Sequence, residues 1–471
     1  MMTSIEELVI KLKRDGVGRW EEVMFRWFCD FTQQVSEELL ESMDEGMMRE
    51  RGPGLEVIGF REHRVTTVFG DIRIKRRLYR DSNGKYLFLL DEAMGLDKGC
   101  HVSPRVKELA TFIASHFPYQ RSEEILRAIL PSGISHTSIH RLVGNVSASY
   151  LEAEEKEVKE VYEAGVIPES QGKVVPCLFV EADGTNIALQ REKSRRAELK
   201  VGTAHEGWQK VSTDRYRTKG KTVYSGIMGG DRFWEGFSLA LAKKYDLSHV
   251  GKVVVGGDGA HWVKEGARLL GGIYQLDRFH LRRALNQVLD NGLVMEVYQA
   301  CTRGDASRAD SILASEQQRS SPERAAEIGR LRGYLLDNAS GLRDYRLVIE
   351  GEGLRGLGAI ESNVDKLACN RMKKRGMSWT IKGANNMARL ISLREMGQLH
   401  SWITRKETSL QNKPRHEVKV STKLQTKDDA AWLAVDLPAL HGPHQNRPWV
   451  HVLRELSHGF PYYSGLPPTN S

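Results

Sequence analysis

Two stretches decide how this chain is read. They are Val174-Val175-Pro176-Cys177-Leu178-Phe179-Val180-Glu181-Ala182-Asp183-Gly184 and, further on, Lys252-Val253-Val254-Val255-Gly256-Gly257-Asp258-Gly259. Both are short apolar runs rich in β-branched residues, which predicts buried strands over 174–182 and 252–256. Each ends on an Asp-Gly pair. Further strands are expected at 197–202, 222–228 and 272–276, and helices at 237–244, 260–270 and 279–289.

Three early strands, then helix, strand, helix and strand, match the order of a ribonuclease-H-like sheet. The expected fold class is therefore an α/β ribonuclease-H-like catalytic core with a helical insertion, preceded by an α+β N-terminal DNA-binding region. The core is expected at 171–290 and resumes at 356–404, with the insertion at 291–355. Upstream, residues 1–55 read as helical, with Ile5, Leu8, Val9 and Leu12 at helical spacing. Residues 56–100 switch to period two and read as an antiparallel meander, with Asn83-Gly84 as a hairpin turn. Its middle strand carries Arg73, Lys75 and Arg77 on one face, which fits a DNA backbone or an ordinary solvated face.

Residues 101–170 read as helical. Ser103-Pro104 starts a helix, 122–130 forms another, 131–134 turns, and Ser135 caps a third over 136–143. The pattern fits a helix-turn-helix with Thr137, Ser138 and Arg141 facing a groove, or a plain helical hairpin. A separate, exposed helix is expected at 150–164, and Gly165, Pro168 and Gly172 mark a boundary. Residues 405–471 read as a basic, poorly ordered tail.

The chain has 471 residues, 40% hydrophobic and 28% charged, which fits a soluble globular protein of several domains. No apolar run suits a membrane span, and the N-terminus lacks a signal-peptide pattern. Five scattered cysteines argue against a disulfide framework and fit a reducing cytoplasm. Net charge is +8. From Lys366 to Lys427 there are fifteen Lys and Arg against three Glu and no Asp, a one-sign region suited to phosphate contacts or to a solvated tail. Lys373, Lys374 and Arg375, with nearby Arg371, are the candidates to touch DNA close to the site. His441, His444 and His451 lack the frame of a zinc site, and His205 and His261 read as ordinary residues.

Asp183, Asp258 and Glu361 are the candidate catalytic acids. Magnesium takes hard oxygen ligands and needs few carboxylates, but they must converge. Asp183 and Asp258 would lie side by side if their strands pair, with Glu361 supplied by a helix packed across the sheet. Taken singly, the Asp-Gly pairs also read as hairpin turns and Glu361 as a first-turn acid favoured by the helix dipole.

Asp183-Gly184-Thr185, Gly257-Asp258-Gly259, Asp277-Arg278-Phe279-His280 and Ile360-Glu361-Ser362-Asn363 resemble the signature set of Mutator-like bacterial insertion-sequence transposases. With Tyr79, Asp91-Glu92, Met94-Gly95-Leu96 and Arg375-Gly376-Met377-Ser378-Trp379, the chain is most similar to the Lre-two group over roughly 55–400, an uncharacterised-protein family of transposases. The resemblance implies an Asp-Asp-Glu transposase. Asp183, Asp258 and Glu361 would hold two Mg²⁺ or Mn²⁺ ions, with Asp277, His280 and Asn363 as accessory residues. It implies cleavage at element ends and strand transfer by 3′-hydroxyl attack. The expected partners are double-stranded DNA, as terminal inverted repeats and target, and further copies of the chain, in a cytoplasmic, nucleoid-associated setting. No nucleotide-binding Gly-x4-Gly-Lys loop is present, which agrees with an energy-independent joining reaction. A ribonuclease-H-like nuclease without joining activity, and a non-catalytic DNA-binding protein derived from a transposase, are the alternatives.

Overall fold

A computed structural model describes residues 9–404 apart from 11, 15, 167–171, 214 and 375. Arg375 and the tail from 405 onward lie outside the described residues, and everything below concerns the first of two compact units, Met1–Gln411.

The chain enters on a long helix, α1 (Trp20–Glu50), which lies along a three-stranded antiparallel sheet, β1 (Glu56–Thr67), β2 (Gly70–Arg80) and β3 (Tyr86–Leu87). Three acids of α1 meet the edge of β2. Glu37 and Glu41 accept the backbone N–H groups of Arg73 and Lys75 at 2.6 and 2.9 Å, and Asp44 accepts that of Arg77. Residues at i, i+4 and i+7 of a helix share one face, so α1 covers strand-edge donors that would otherwise seek another strand. Arg77 also donates to the buried Asp44 at 2.7 Å, so it is not part of a free basic face. The expected third strand is short. It ends at Leu87, and α2 (Leu89–Ala93) follows, seating Leu90 in the small core with Val65, Ile72 and Ile74.

Helices α3 (Pro104–Ala114), α4 (Tyr119–Ile129) and α5 (His136–Tyr162) come next. The side chains of Ser103 and Ser135 cap α3 and α5 by accepting the N–H of Val106 and Ser138. The two helices expected at 136–143 and 150–164 are one continuous helix. Between them lie Gly144 and Ser147, which are weak rather than absolute helix breakers, and packing of Val146 and Val158 carries the helix through.

The central sheet has the path β10–β9–β4–β5–β8, formed by β4 (Cys177–Leu189), β5 (Arg196–His205), β8 (Thr222–Gly226), β9 (Lys252–Gly257) and β10 (Ile273–Leu276). β4 pairs antiparallel with β5 and β5 with β8, while β9 runs parallel to β4 and β10 parallel to β9. The strand at 174–182 was expected to stop at Asp183. It runs on to Leu189, with Asp183 opposite Val201, so the hairpin turn sits beyond it and Asp183-Gly184 is not a turn. A small hairpin, β6 (Trp208–Lys210) and β7 (Tyr216–Thr218), projects between β5 and β8.

Both faces of the sheet are covered, which explains the unbroken apolar strands. One core gathers Val180, Val255 and Leu276 with Phe233, Trp234 and Phe237 of α6 (Gly230–Ala242), Val263 of α7 (His261–Leu269) and Leu281 of α8 (Arg278–Val288). The same core extends into α9 (Asn291–Arg303), α10 (Ala306–Arg319), α11 (Pro322–Asp337) and α12 (Ala339–Leu342). The other core gathers Ile187, Val201 and Val223 with α3 to α5, with α13 (Ala359–Asn363) and its π-helical continuation Val364–Lys373, and with α14 (Ile381–Glu395). The last strand, β11 (Ser378–Trp379), adds to the end of β4. Glu154 of α5 ties this layer together, accepting from Tyr224 Oη at 2.7 Å and from the buried Arg389 at 2.8 Å.

Candidate active site

The parallel register of β4 on β9 pairs Glu181 with Gly256. Two residues further along the same register, Asp183 stands level with Asp258, which follows the last residue of β9. Asp258 Oδ1 accepts the N–H of Ala260 and Asp183 Oδ1 that of Gly184, so local backbone fixes both carboxylates. Asp277 follows β10 and caps α8, accepting the N–H groups of Phe279 and His280 at 2.8 and 3.0 Å. One helical turn on, His280 Nδ1 lies 3.2 Å from Asp277 Oδ1.

Glu361 reaches this cluster from α13. Ligand-capable atoms of Asp277, His280 and Glu361 all lie within 4.8 Å of one another, the one such group among the described residues. The pair treated as accessory thus stands against Glu361, with Asp183 and Asp258 beside it. The electrostatics report the same convergence. Burial holds the Asp183 carboxyl above the ordinary carboxylate range, and Asp258 and Asp277 add to this against the Gly184 N–H and His280. Glu361 is also raised, by burial first and then by Asp277, with His280 opposing. The hydrogen bond and charge of Asp277 raise His280 against the effect of burial, with help from Asp183 and Asp258. Glu361 Oε1 is buried and has no hydrogen-bond partner. Buried charge without a partner is costly, and a hard divalent cation is the ligand that oxygen-rich, mutually repelling donors fit.

What places Glu361 is a residue that sequence reasoning passed over. Glu181 is buried on the same face of β4 as Asp183, two residues before it. Its carboxylate accepts the N–H groups of Gly358, Ala359 and Ile360 at 2.8, 3.2 and 3.2 Å, so it caps the helix that carries Glu361. Behind it stands the buried His205. The His205 Nδ1 accepts the Gly207 N–H, which leaves the ring proton on Nε2, 3.5 Å from Glu181 Oε1. Gly256 makes room: a Cβ there would stand 2.6 Å from Leu357 Cδ1 and 3.5 Å from Glu181 Cγ. The available signal was an acid in the middle of an apolar run, since a fully buried Glu is rare unless paired.

The remaining sequence candidates separate. Lys373 Nζ donates to Thr185 Oγ1 at 3.2 Å, close beside Asp183 along β4, and the residue is exposed. Lys374 is exposed and pairs with Asp365 at 2.7 Å. Arg371 was expected on DNA and is instead 4% exposed. It donates to the Ala114 carbonyl at 2.7 Å between the rings of Tyr119 and Trp379, because the π-helical turn points it into the protein. Asn363 is buried and donates to the Ala359 carbonyl within its own helix. Thr137 and Arg141 are exposed on the first turns of α5, and Ser138 is half-buried against the Ser135 cap. The inserted helices touch the site too: Tyr334 of α11 donates to the Asp258 carbonyl at 3.1 Å.

Across this whole span, residues 19–413 match the model of the uncharacterised protein family UPF0236. The chain belongs to that family. A UPF0236 protein of Caldanaerobacter subterraneus subsp. tengcongensis is 25% identical over 335 residues, 69% of this chain and 66% of that one. Another from the same strain is 25% identical over 335 residues, covering 69% and 63%. This chain therefore spans just under two thirds of the length of these UPF0236 relatives. The UPF0236 protein in the vanSb 3′ region of Streptococcus gallolyticus is 25% identical over 412 residues, covering 84% and 87%. Among the described residues, no helix is long and apolar enough to cross a membrane.

Proposed function

We propose that this chain is an insertion-sequence DNA transposase that cuts phosphodiesters at element ends and joins the freed 3′-hydroxyl to target DNA. The observation that carries the reading is the grouping of Asp277, His280 and Glu361 around the partnerless Glu361 oxygen, with Asp183 and Asp258 on adjacent parallel strands near enough for their charges to act on His280. The sheet path, with three antiparallel strands followed by two parallel ones added on the other side of β4, supports a ribonuclease-H-like core. The motif resemblance to Mutator-like transposases supports transposition over simple hydrolysis.

Asp183, Asp258 and Glu361 would hold the divalent cations, with Asp277 within reach of Glu361. Bound there, such ions activate an attacking oxygen and stabilise a leaving one. The protein's own part is positional. Glu181 fixes the Glu361 helix, the Asp277–His280 pair holds the start of α8, and Lys373 lies where a phosphate beside Asp183 would meet a cation. The hydrogen bond and charge of Asp277, with the charges of Asp183 and Asp258, shift His280 towards its protonated form.

The test is an in vitro reaction on labelled DNA carrying the sequences that border the coding region, with Mg²⁺ or Mn²⁺, using wild type and Glu361→Gln. Cutting and joining that require the metal and vanish in the variant are expected. Cutting without joined products would reduce the reading to a nuclease. Binding without cutting in wild type would reduce it to a DNA-binding protein.

A further inference from the structure

The helix that carries Glu361 turns a second face, including Ser362 and Lys366, into an open groove of about 1260 Å³. Its opposite wall is the β6–β7 hairpin, and its floor includes the segment around Arg355. Six cations line it: Arg215, Arg217, Lys219, Lys221, Arg355 and Lys366. Among the described residues Glu395 is the one acid on the lining, and Lys221 already holds it at 2.8 Å. Arg217 lies in β7 and Arg215 and Lys219 flank its two ends, so the three cations follow one another along this arm of the hairpin. All three are exposed, as is Lys366. Arg355 stacks on Tyr216 with its guanidinium 3.6 Å from the ring centre, joining the floor to the hairpin wall.

A folded protein gains nothing from crowding like charges around a concave surface, because they repel one another. A polyanion removes that cost. The repeat of cations along an extended strand suits a ligand whose charges also repeat along a chain. We propose that this groove is a track for the sugar–phosphate backbone of DNA, gripping it without regard to sequence and leading it past the Glu361 helix. The proposal rests on the DNA-processing reading above and adds to it the surface that holds the substrate. None of these six residues belongs to the acid cluster, and contacts to phosphate position DNA while carrying no sequence information.

Binding of the full chain to a short random-sequence duplex, followed by fluorescence anisotropy between about 50 and 200 mM salt, tests it. Wild type is expected to bind with a steep salt dependence. The triple variant Arg217→Ala/Lys219→Ala/Lys366→Ala is expected to lose about 10- to 100-fold in affinity, with the slope of log K against log salt shallower by about 0.9 per lost contact. Its melting temperature should match wild type. Arg215→Glu alone, on the exposed hairpin, gives an independent reading should the triple variant melt early. Wild-type affinity and slope in both variants would overturn the groove while leaving end cleavage, and so the DNA-processing reading, intact. A wild-type chain that neither binds duplex nor cuts DNA would remove the DNA-processing reading and the groove together.

A different surface carries a second inference. On α1, Trp20, Met24, Phe28, Phe31, Val35, Leu39 and Met43 are between 40% and 57% exposed and follow one another at helical spacing. The stripe is symmetric about residues 31 and 32: Trp20 mirrors Met43, Met24 mirrors Leu39, and Phe28 mirrors Val35. About 100 Å² of exposed surface on each side chain gives roughly 1,400 Å² over two copies, within the range of stable interfaces. We infer that α1 pairs with α1 of a second copy, antiparallel about a two-fold axis. A parallel pairing in register would set the exposed Glu38 of each copy side by side. Sedimentation of the full chain should show a dimer that Phe28→Glu/Phe31→Glu converts to a monomer of unchanged melting temperature. A monomeric wild type, with the stripe covered by its own chain or by nothing, would overturn this, as would a double variant that stays dimeric.

Discussion

The acids of the N-terminal module and those of the central sheet are the same residue types in opposite circumstances. On α1, Glu37 and Glu41 each accept a β2 backbone N–H, Asp44 accepts both the N–H and the guanidinium of Arg77, and Asp91 holds Arg76 at 2.5 and 2.8 Å. Every one has a donor that its own fold supplies. In the central sheet, Asp183 feels the charges of Asp258 and Asp277, and Glu361 that of Asp277; Asp183 and Glu361 are raised above the usual carboxylate range, and a Glu361 oxygen has no partner. Paired acids hold a structure together. Acids that raise one another, one of them with an oxygen that no donor meets, are a cost that the rest of the fold carries, and such perturbed groups cluster at functional sites. Glu181 lies between the two cases. It is fully satisfied, like the acids of α1, but the donors are the first amides of the Glu361 helix, so its satisfaction positions the site.

This contrast breaks most sharply at Glu361. Replacing it with Gln is expected to lower strand cleavage by about 10³-fold, the scale of a few kcal/mol lost from the transition state, with thermal stability in metal-free buffer equal to or above wild type. A large loss of stability would instead put Glu361 among the structural acids. Asp44→Ala should show the reverse pattern. It leaves Arg77 half-buried without its counter-ion and uncovers the β2 edge, so unfolding should become easier by about 3 kcal/mol, while residual folded protein cleaves at the wild-type rate. Denaturant melts monitored at the tryptophans, alongside cleavage rates, separate the two outcomes.

Glu181→Gln tests the intermediate case. An amide at this position keeps one acceptor but loses the charge at the helix N-terminus. The turnover rate should fall about 10-fold with little change in DNA affinity, whereas Asp should recover part of it. An unchanged rate would reduce Glu181 to packing. The smallest expected effect is at Asp183. Its folded pKa is raised, so the native state binds the proton more tightly than the unfolded chain does. Ionisation is therefore held at a cost that is absent in acid and fully present above the folded pKa. Asp183→Asn should thus raise Tm by about 2 °C in EDTA at neutral pH, and the gain should disappear as the pH falls towards the ordinary carboxylate range. Adding Mg²⁺ should raise the Tm of wild type and leave that of the variant nearly unchanged. A neutral-pH Tm below wild type in EDTA would mean that Asp183 is satisfied as the α1 acids are.

Several elements were legible from the chain alone because local chemistry defines them. The apolar runs at 252–256 and 272–276 are strands to within a residue or two, and Ser103 and Ser135 cap the helices they precede. Where the reading failed, a contact distant in sequence had overruled a local signal. The strand was expected to stop at 182, just before Asp183-Gly184, but its pairing with β5 carries it through to Leu189. Arg371 belongs to a basic cluster, but the π-helical turn and the rings of Tyr119 and Trp379 bury it. Glu181 was hidden because its partners lie 177 to 179 residues away.

By itself, the sequence determined which residues carry charge, which runs must be buried on both faces and which acids stand at element ends, since these follow from side-chain chemistry and periodicity along a short window. Only the tertiary structure decided that β9 lies beside β4, which sets Asp183 level with Asp258. It also decided that Asp277 and His280 stand against Glu361, and that a buried Glu181 sets the helix that brings Glu361 there. Strand order and helix placement depend on contacts between residues far apart in the chain, and no local pattern specifies which distant donor an acid will meet.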